Sequence, residues 1–230
     1  MLAVAHMVWA SSTPLAARLS PRHADVRLLP NVADIRRFEE AASLPSPADM
    51  AAIPRPRILY LGNLAAYKID FEKIARLAIA RPDWHWVLIG PIGRGDPGTE
   101  IESLRRLANV HIMGERARSI APAYAARADV CVLPLRDSAS TRHSHPIKIY
   151  EYLAIGRPIV SAPIPSFGEL ADSKLIRTAE SDEEWIASIE AGLRETDDQA
   201  PRRQAEARRH GWTARIEEIR DSISSARPNR

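Results

Sequence analysis

The strongest constraint on what this chain can become is a rhythm. From residue 57 onward, short continuous apolar runs alternate with segments of helical period. The runs are "RILYLG" (57–62), "WHWVLIG" (84–90), "NVHIMG" (109–114), "DVCVLPL" (129–135), "RPIVSA" (157–162) and "KLIRT" (174–178). They do not alternate apolar with polar residues, so each reads as a strand covered on both faces. Between them, "DFEKIARLAIARP" (70–82) sets Phe71, Ile74, Leu77 and Ala78 at helical spacing, with Asp70 as N-cap and Pro82 as stop. "TEIESLRRLA" (99–108) carries Thr99 and Glu102 at capping-box spacing. Further helices are predicted over 119–128, 146–155, 182–195 and about 200–223. Strict strand–helix alternation predicts an α/β fold built on a doubly wound parallel sheet. Two more runs precede it, "LAVAHMVW" (2–9) and "VRLLP" (26–30), and the proline-rich stretch 42–56 reads as a linker.

Ligands on such a sheet sit outside the carboxyl ends of the strands. Function is therefore expected in the loops after Gly62, Gly90, Gly114 and Leu135, and at the helix that begins at Pro146. Composition narrows the classes. With 32 basic and 29 acidic residues interspersed, the net charge of +3 gives no basic face for nucleic acid. Only four of the basic residues are lysines (68, 73, 148 and 174), which makes a lysine in a predicted ligand loop notable. The lone cysteine, Cys131, sits in an apolar run and reads as a small buried hydrophobe; no disulfide can form within the chain, which fits a reducing compartment. No run approaches the about 20 apolar residues of a membrane helix. "MLAVAHMVWASS" lacks a basic start and is interrupted by His6, so it reads as a strand rather than a signal peptide.

One segment breaks the apolar logic. "HPIKIYEYLAIGRPIV" (145–160) looks buried on every side, yet it carries Glu151 with Lys148 one turn before it. An unpaired buried carboxylate costs several kcal/mol, so Glu151 needs a partner or a ligand. Lys148 at i−3 supplies one answer, a plain ion pair. Position supplies another. Pro146 suits a first helical turn, and that helix N-terminus faces the ligand edge of the sheet. Its positive end plus Lys148 suits phosphate, and Glu151 can accept two hydroxyl hydrogen bonds. Phosphates beside a vicinal diol describe a nucleotide with its ribose.

These residues resemble a family. "PIKIYEYLAIGRPIV" is similar to the signature of bacterial family-four (group 1) glycosyltransferases, which have the GT-B fold of two Rossmann-like domains facing across a cleft. "VRLLPNVADIRRF" resembles the family's crossover, "ILYLGNLAAYK" opens a segment resembling the first unit of its donor domain, and "HGWTARIEEI" resembles its closing helix. Four motifs in the right order span about residues 2 to 220.

The resemblance implies a transferase moving a sugar from a UDP- or GDP-linked donor to a glycan or lipid-linked acceptor, in polysaccharide biosynthesis. It implies a hexosyltransferase, retaining at the anomeric carbon. It implies that Glu151 binds the ribose hydroxyls and that the loop from Gly62 through Asn63 to Lys68 serves the donor diphosphate. Asn63 stands where the family commonly has Arg, a charge that Lys148 would supply. His143 stands where many members carry a second acid that meets the sugar. The donor is a substrate; no cofactor or metal is implied, although His143 and His145 alone could be taken for a metal pair.

On this reading residues 1–41 are a remnant of the acceptor domain and crossover. Residues 57–200 are the donor-binding domain, and 201–230 a C-terminal helix returning to the first domain, with apolar surface left exposed. The catalytic His expected in retaining members falls in acceptor-domain sequence that the chain does not contain, so a separate acceptor-domain chain is an expected partner. The location implied is the cytoplasm, at the inner face of the membrane through peripheral contact. The alternative is a non-catalytic nucleotide-binding or assembly module, or a gene remnant. A sugar-nucleotide epimerase on the same fold lacks an acid–base set here. The literal G-x-G-x-x-G, "GRGDPG" (93–98), reads as a surface loop, because Gly90 already ends the strand and Asp96 would face a pyrophosphate.

Overall fold

The computed structural model, which describes residues 4–142 and 144–226, joins the six runs after residue 57 into one parallel sheet. Strands β1 (Val8–Ala10) and β2 (Val26–Leu28) form a separate parallel pair, connected through α1 (Thr13–Leu19). Short helices α2 (Ile35–Glu39) and α3 (Ala48–Ala51) lead to the main sheet. Its strands are β3 (Arg57–Leu61), β4 (His85–Ile89), β5 (Val110–Gly114), β6 (Val130–Leu133), β7 (Ile159–Ser161) and β8 (Arg177–Thr178). The crossovers carry α4 (Phe71–Ala80), α5 (Glu102–Arg105), α6 (Ala121–Ala125), α7 (Ala139–Arg142), α8 (Lys148–Ile155) and α9 (Gly168–Asp172). Helices α10 (Asp182–Leu193), α11 (Ala200–Arg208) and α12 (Trp212–Ala226) follow.

The strand order is β5-β4-β3-β6-β7-β8. The chain winds outward from β3 to β5, then returns to β6 and winds the other way. The direction reverses between β3 and β6, which makes the crevice above their carboxyl ends the place for a ligand. Every residue of β3 and β6 is buried, as continuous apolar runs require.

Several boundaries differ from expectation. The run 2–9 yields a strand only at 8–10, with residues 1–3 outside the described residues. The predicted helix 99–108 contracts to α5, whose N-cap position is Ile101. Thr99 does not cap it: its hydroxyl accepts from Ala66 N and donates to Asp96, so the side chain is spent on another loop. Helix 119–128 shrinks to α6, and the predicted 200–223 helix is two, broken at Gly211, which forms an isolated bridge with Ala33. Segment 42–56 is not slack chain, because Met50 and Ile53 are in the core.

Trp84 and Trp86 of "PDWHW" are fully buried packing residues, and Cys131 is buried with its thiol pushed up to about 12 by desolvation. Exposed apolar side chains remain on β1 (Trp9), β2 (Leu28) and α12 (Trp212, Ile216, Ile223). Arg27 ties β2 to α12 through Ser222 O and Ser225 Oγ.

Candidate functional site

Two loops meet at the switch point. The loop after β3 begins at Gly62, whose amide donates to Ile89 O. Gly90 has φ +145, and a Cβ there would sit 1.8 Å from Gly62 O, so only glycine lets the two loops approach this closely. Asn63 donates through Nδ2 to Arg94 O at 2.7 Å. It therefore tethers the "GRGDPG" loop, which is a turn-rich surface loop as expected. Leu64, Ala66 and Tyr67 give their amides to Pro91 O, Thr99 Oγ1 and Asp96 Oδ2. The Lys68 side chain is the cation that this loop can offer an anion. The loop after β6 locks onto the first: Asp70 N donates to Pro134 O and Arg136 N to Lys68 O at 2.8 Å.

Helix α8 rises beside them. It packs on α11 and α2, and Leu61 N donates to the buried Tyr152 hydroxyl at 2.8 Å. This bond pins α8 to the end of β3. Gly156, left-handed at φ +81, ends the helix as the sequence predicted. Burial on nearly all sides explains the apolar run and isolates its one acid. Glu151 is 8% exposed, with Oε2 2.5 Å from Lys148 Nζ. The contact lacks hydrogen-bond geometry, and Oε2 has no hydrogen-bond partner. It is compensated in charge yet keeps its acceptor capacity for a hydroxyl. The pair with Lys148 therefore forms, and one carboxylate oxygen is left without a hydrogen-bond donor.

Lys68 is half-buried, and its amine is held below the ordinary lysine value by desolvation and by the charge of Lys148. Two ammonium groups that repel across a crevice are relieved by an anion placed between them. The structure therefore brings Gly62, Asn63, Lys68, Lys148 and Glu151 to one edge, with Asn63 in a structural rather than an ion-binding contact. His143 lies outside the described residues.

Sequence reasoning missed the residues behind α8. His145 Nε2 lies 2.8 Å from the Tyr150 hydroxyl, and Tyr150 stacks on His210 at 4.0 Å between ring centroids. Burial, with the charges of His210 and Arg215, holds His145 below its usual value. A cavity of about 740 Å³ opens here between Ser11, Asn31, Lys68, His145, Trp212 and Arg215. The motif "HGW" marks this crossing in the sequence, but nothing local says which face of α8 it meets.

Another cavity, about 630 Å³, lies at the opposite edge of the sheet. Asp129, Glu195 and the C-terminal ends of α8 and α10 line it, and Arg203 and Arg157 there donate to the carbonyls of Gly156 and Ala126. Helix C-termini carry partial negative charge, so this edge does not suit phosphate. Among the described residues no group of three or more His, Cys, Asp or Glu could hold a metal ion, and no helix is long and apolar enough to cross a membrane.

Comparison with known proteins identifies the family and the fold. A model of the family described as glycosyl transferases group 1 matches residues 55–195. The chain is 29% identical over 157 residues to TuaH, a Bacillus subtilis protein assigned as a teichuronic acid biosynthesis glycosyltransferase; the match covers 66% of this chain and 39% of that one. The fold is similar to that of Anabaena Alr3699/HepE, solved in complex with UDP and glucose, with TM-score 0.73 and 18% identity over 97% of this chain and 64% of that one. It is also similar to sucrose-phosphate synthase from Thermosynechococcus elongatus, with TM-score 0.69 and 18% identity over 98% of this chain and 60% of that one. These likenesses show the GT-B fold. The chain spans less than two thirds of each of these three proteins.

Proposed function

This chain belongs to the group 1 glycosyltransferases, and on that premise we propose that it is the donor-binding half of an enzyme that transfers a sugar from a nucleotide diphospho-sugar. The observation that carries the reading is Glu151: a carboxylate 8% exposed, on a helix whose N-terminal end opens at the sheet's switch point beside Lys68 and Lys148. Glu151 accepts the ribose hydroxyls. Lys68, Lys148 and the first turn of α8 receive the diphosphate, stabilising the charge that develops as the nucleotide departs. Gly62 and Asn63 shape the loop that presents Lys68. By family resemblance, position 143 is assigned to the sugar contact.

UDP is the favoured nucleotide, since the similar Anabaena protein was solved with UDP and glucose. A hexosyl group transferred with retention follows from family resemblance. The acceptor is a glycan or a lipid-linked glycan, in keeping with a relative assigned to teichuronic acid biosynthesis. Residues 57–200 are the donor domain, 1–41 and 201–230 belong to the junction with an acceptor domain, and the reaction takes place in the cytoplasm at the inner membrane face.

The test is calorimetric titration of the full chain with UDP, GDP and ADP, with Glu151→Ala as control. Binding of one nucleotide that the substitution abolishes is the expected result. Binding that survives Glu151→Ala unchanged would refute the assignment.

A further inference from the structure

The cleft cavity has a feature that the donor site does not explain. Its charged lining residues are Lys68 and Arg215, and among the described residues no carboxylate lines it. Arg215 is 6% exposed and belongs to α12, far in sequence from the donor loops. Its Nη1 pairs with Glu218, which is half-exposed on the next turn, while its Nε is buried and has no hydrogen-bond partner. A guanidinium N–H buried without an acceptor costs free energy, and it carries a positive charge that Glu218 only partly offsets. The rest of the lining mixes polar residues, Ser11, Ser12, Asn31, Ser144 and His145, with apolar ones such as Leu29, Ile147 and Trp212. Ser144 and His145 also lead into α8, so the cavity adjoins the N-terminal end of the donor helix.

We propose that Arg215 is a phosphate-binding residue, which with Lys68 grips one phosphoryl group from opposite walls of the cleft. The inference rests on the donor-site reading above and extends it to α12. Arg is the side chain suited to such a contact, because its fork presents Nε–H and a neighbouring N–H in one plane, matched to two oxygens of a phosphoryl group. A bound anion would give the buried Nε–H its acceptor and relieve the crowding of cations around Lys68. It would also couple occupancy of the cleft to the position of α12, which contacts β2 through Arg27. The phosphoryl group could come from the nucleotide donor or from a phosphorylated acceptor, and the two sources are separable.

The full chain is titrated with UDP, uridine and inorganic pyrophosphate, alongside Arg215→Gln and Glu218→Gln. Arg215→Gln is expected to weaken UDP at least tenfold and leave uridine unchanged. Glu218→Gln removes the competing carboxylate and keeps the guanidinium, so UDP should bind as tightly as before or more tightly. A purely structural ion pair predicts the opposite, with both variants sharing one defect and one loss of melting temperature; that result overturns the proposal. If Arg215→Gln weakens pyrophosphate but not UDP, Arg215 holds a phosphoryl group of the acceptor instead, and the proposal stands with that source. UDP binding that depends on Glu151, with both UDP and pyrophosphate indifferent to Arg215→Gln, overturns this inference alone. No binding of UDP or pyrophosphate by the parent chain overturns it together with the donor-site reading.

Discussion

Replacing Glu151 by Gln separates a ligand-binding acid from a merely structural one. The side chain is 11% exposed, and its counter-ion Lys148 keeps 24% of its side-chain surface in water. In Glu151→Gln the Lys148 ammonium can turn toward solvent, so the lost pair resembles a partly exposed one and costs about 1 kcal/mol or less. For a chain of this size that lowers the melting temperature by about 2–4 °C. Binding should suffer more. Two hydroxyl hydrogen bonds to an ionised carboxylate are each worth about 1.5–3 kcal/mol, and a neutral amide retains roughly half. The expected loss is about 2–3 kcal/mol, or a factor of about 30 to 150 in the dissociation constant of the preferred nucleotide. Calorimetry gives the affinity and a thermal melt gives the stability. The reasoning fails if the variant loses more than about 3 kcal/mol of stability while nucleotide affinity stays within twofold. Glu151 would then be a partner for Lys148 and nothing else.

Lys68 sets an alkaline limit on binding. Its free-state value lies below the ordinary 10.5 because of burial and Lys148, and a bound phosphate raises it. UDP affinity should hold while Lys68 is protonated and fall as pH rises through that lowered value. Lys68→Arg, always charged, should move the fall to higher pH; an unchanged profile would remove Lys68 from the site. Gly90→Ala would press a Cβ against Gly62 O, a clash with backbone that no rotamer relieves, so a loss of at least about 3 kcal/mol is expected in a denaturant titration. Glu195 governs acid stability. Desolvation raises its value, but hydrogen bonds from Arg203 and Arg177 outweigh that, and the net shift is downward from 4.5. Its contribution is therefore present above the unfolded-state value and is lost as pH falls through the folded-state value. Glu195→Gln should cost about 3–5 kcal/mol near neutrality, because Arg203 is left buried without a counter-charge, and should flatten the stability loss below about pH 4.5.

The sequence by itself determined the sheet and the identity of its key acid. Six apolar runs became six parallel strands, because burial of the central ones on both faces leaves a pattern that neighbours along the chain already show. Glu151 stood out for the same reason, as a charge inside an apolar helix. Gly156 ended that helix because a left-handed cap is a local need. Short helices were harder to bound. Residues 99–108 carry a capping-box spacing, but Thr99 finds a better use in bridging Ala66 to Asp96, a choice made across 33 residues. Asn63 looked like a depleted phosphate contact and is a tether to Arg94. Arg215 could not be placed from sequence at all. Its meaning depends on α12 arriving beside Lys68 and His145, which lie 147 and 70 residues away in the numbering. Local pattern records what a residue needs from its own element. Which residues share a cavity, and which buried donors go without a partner, is decided only when distant segments pack.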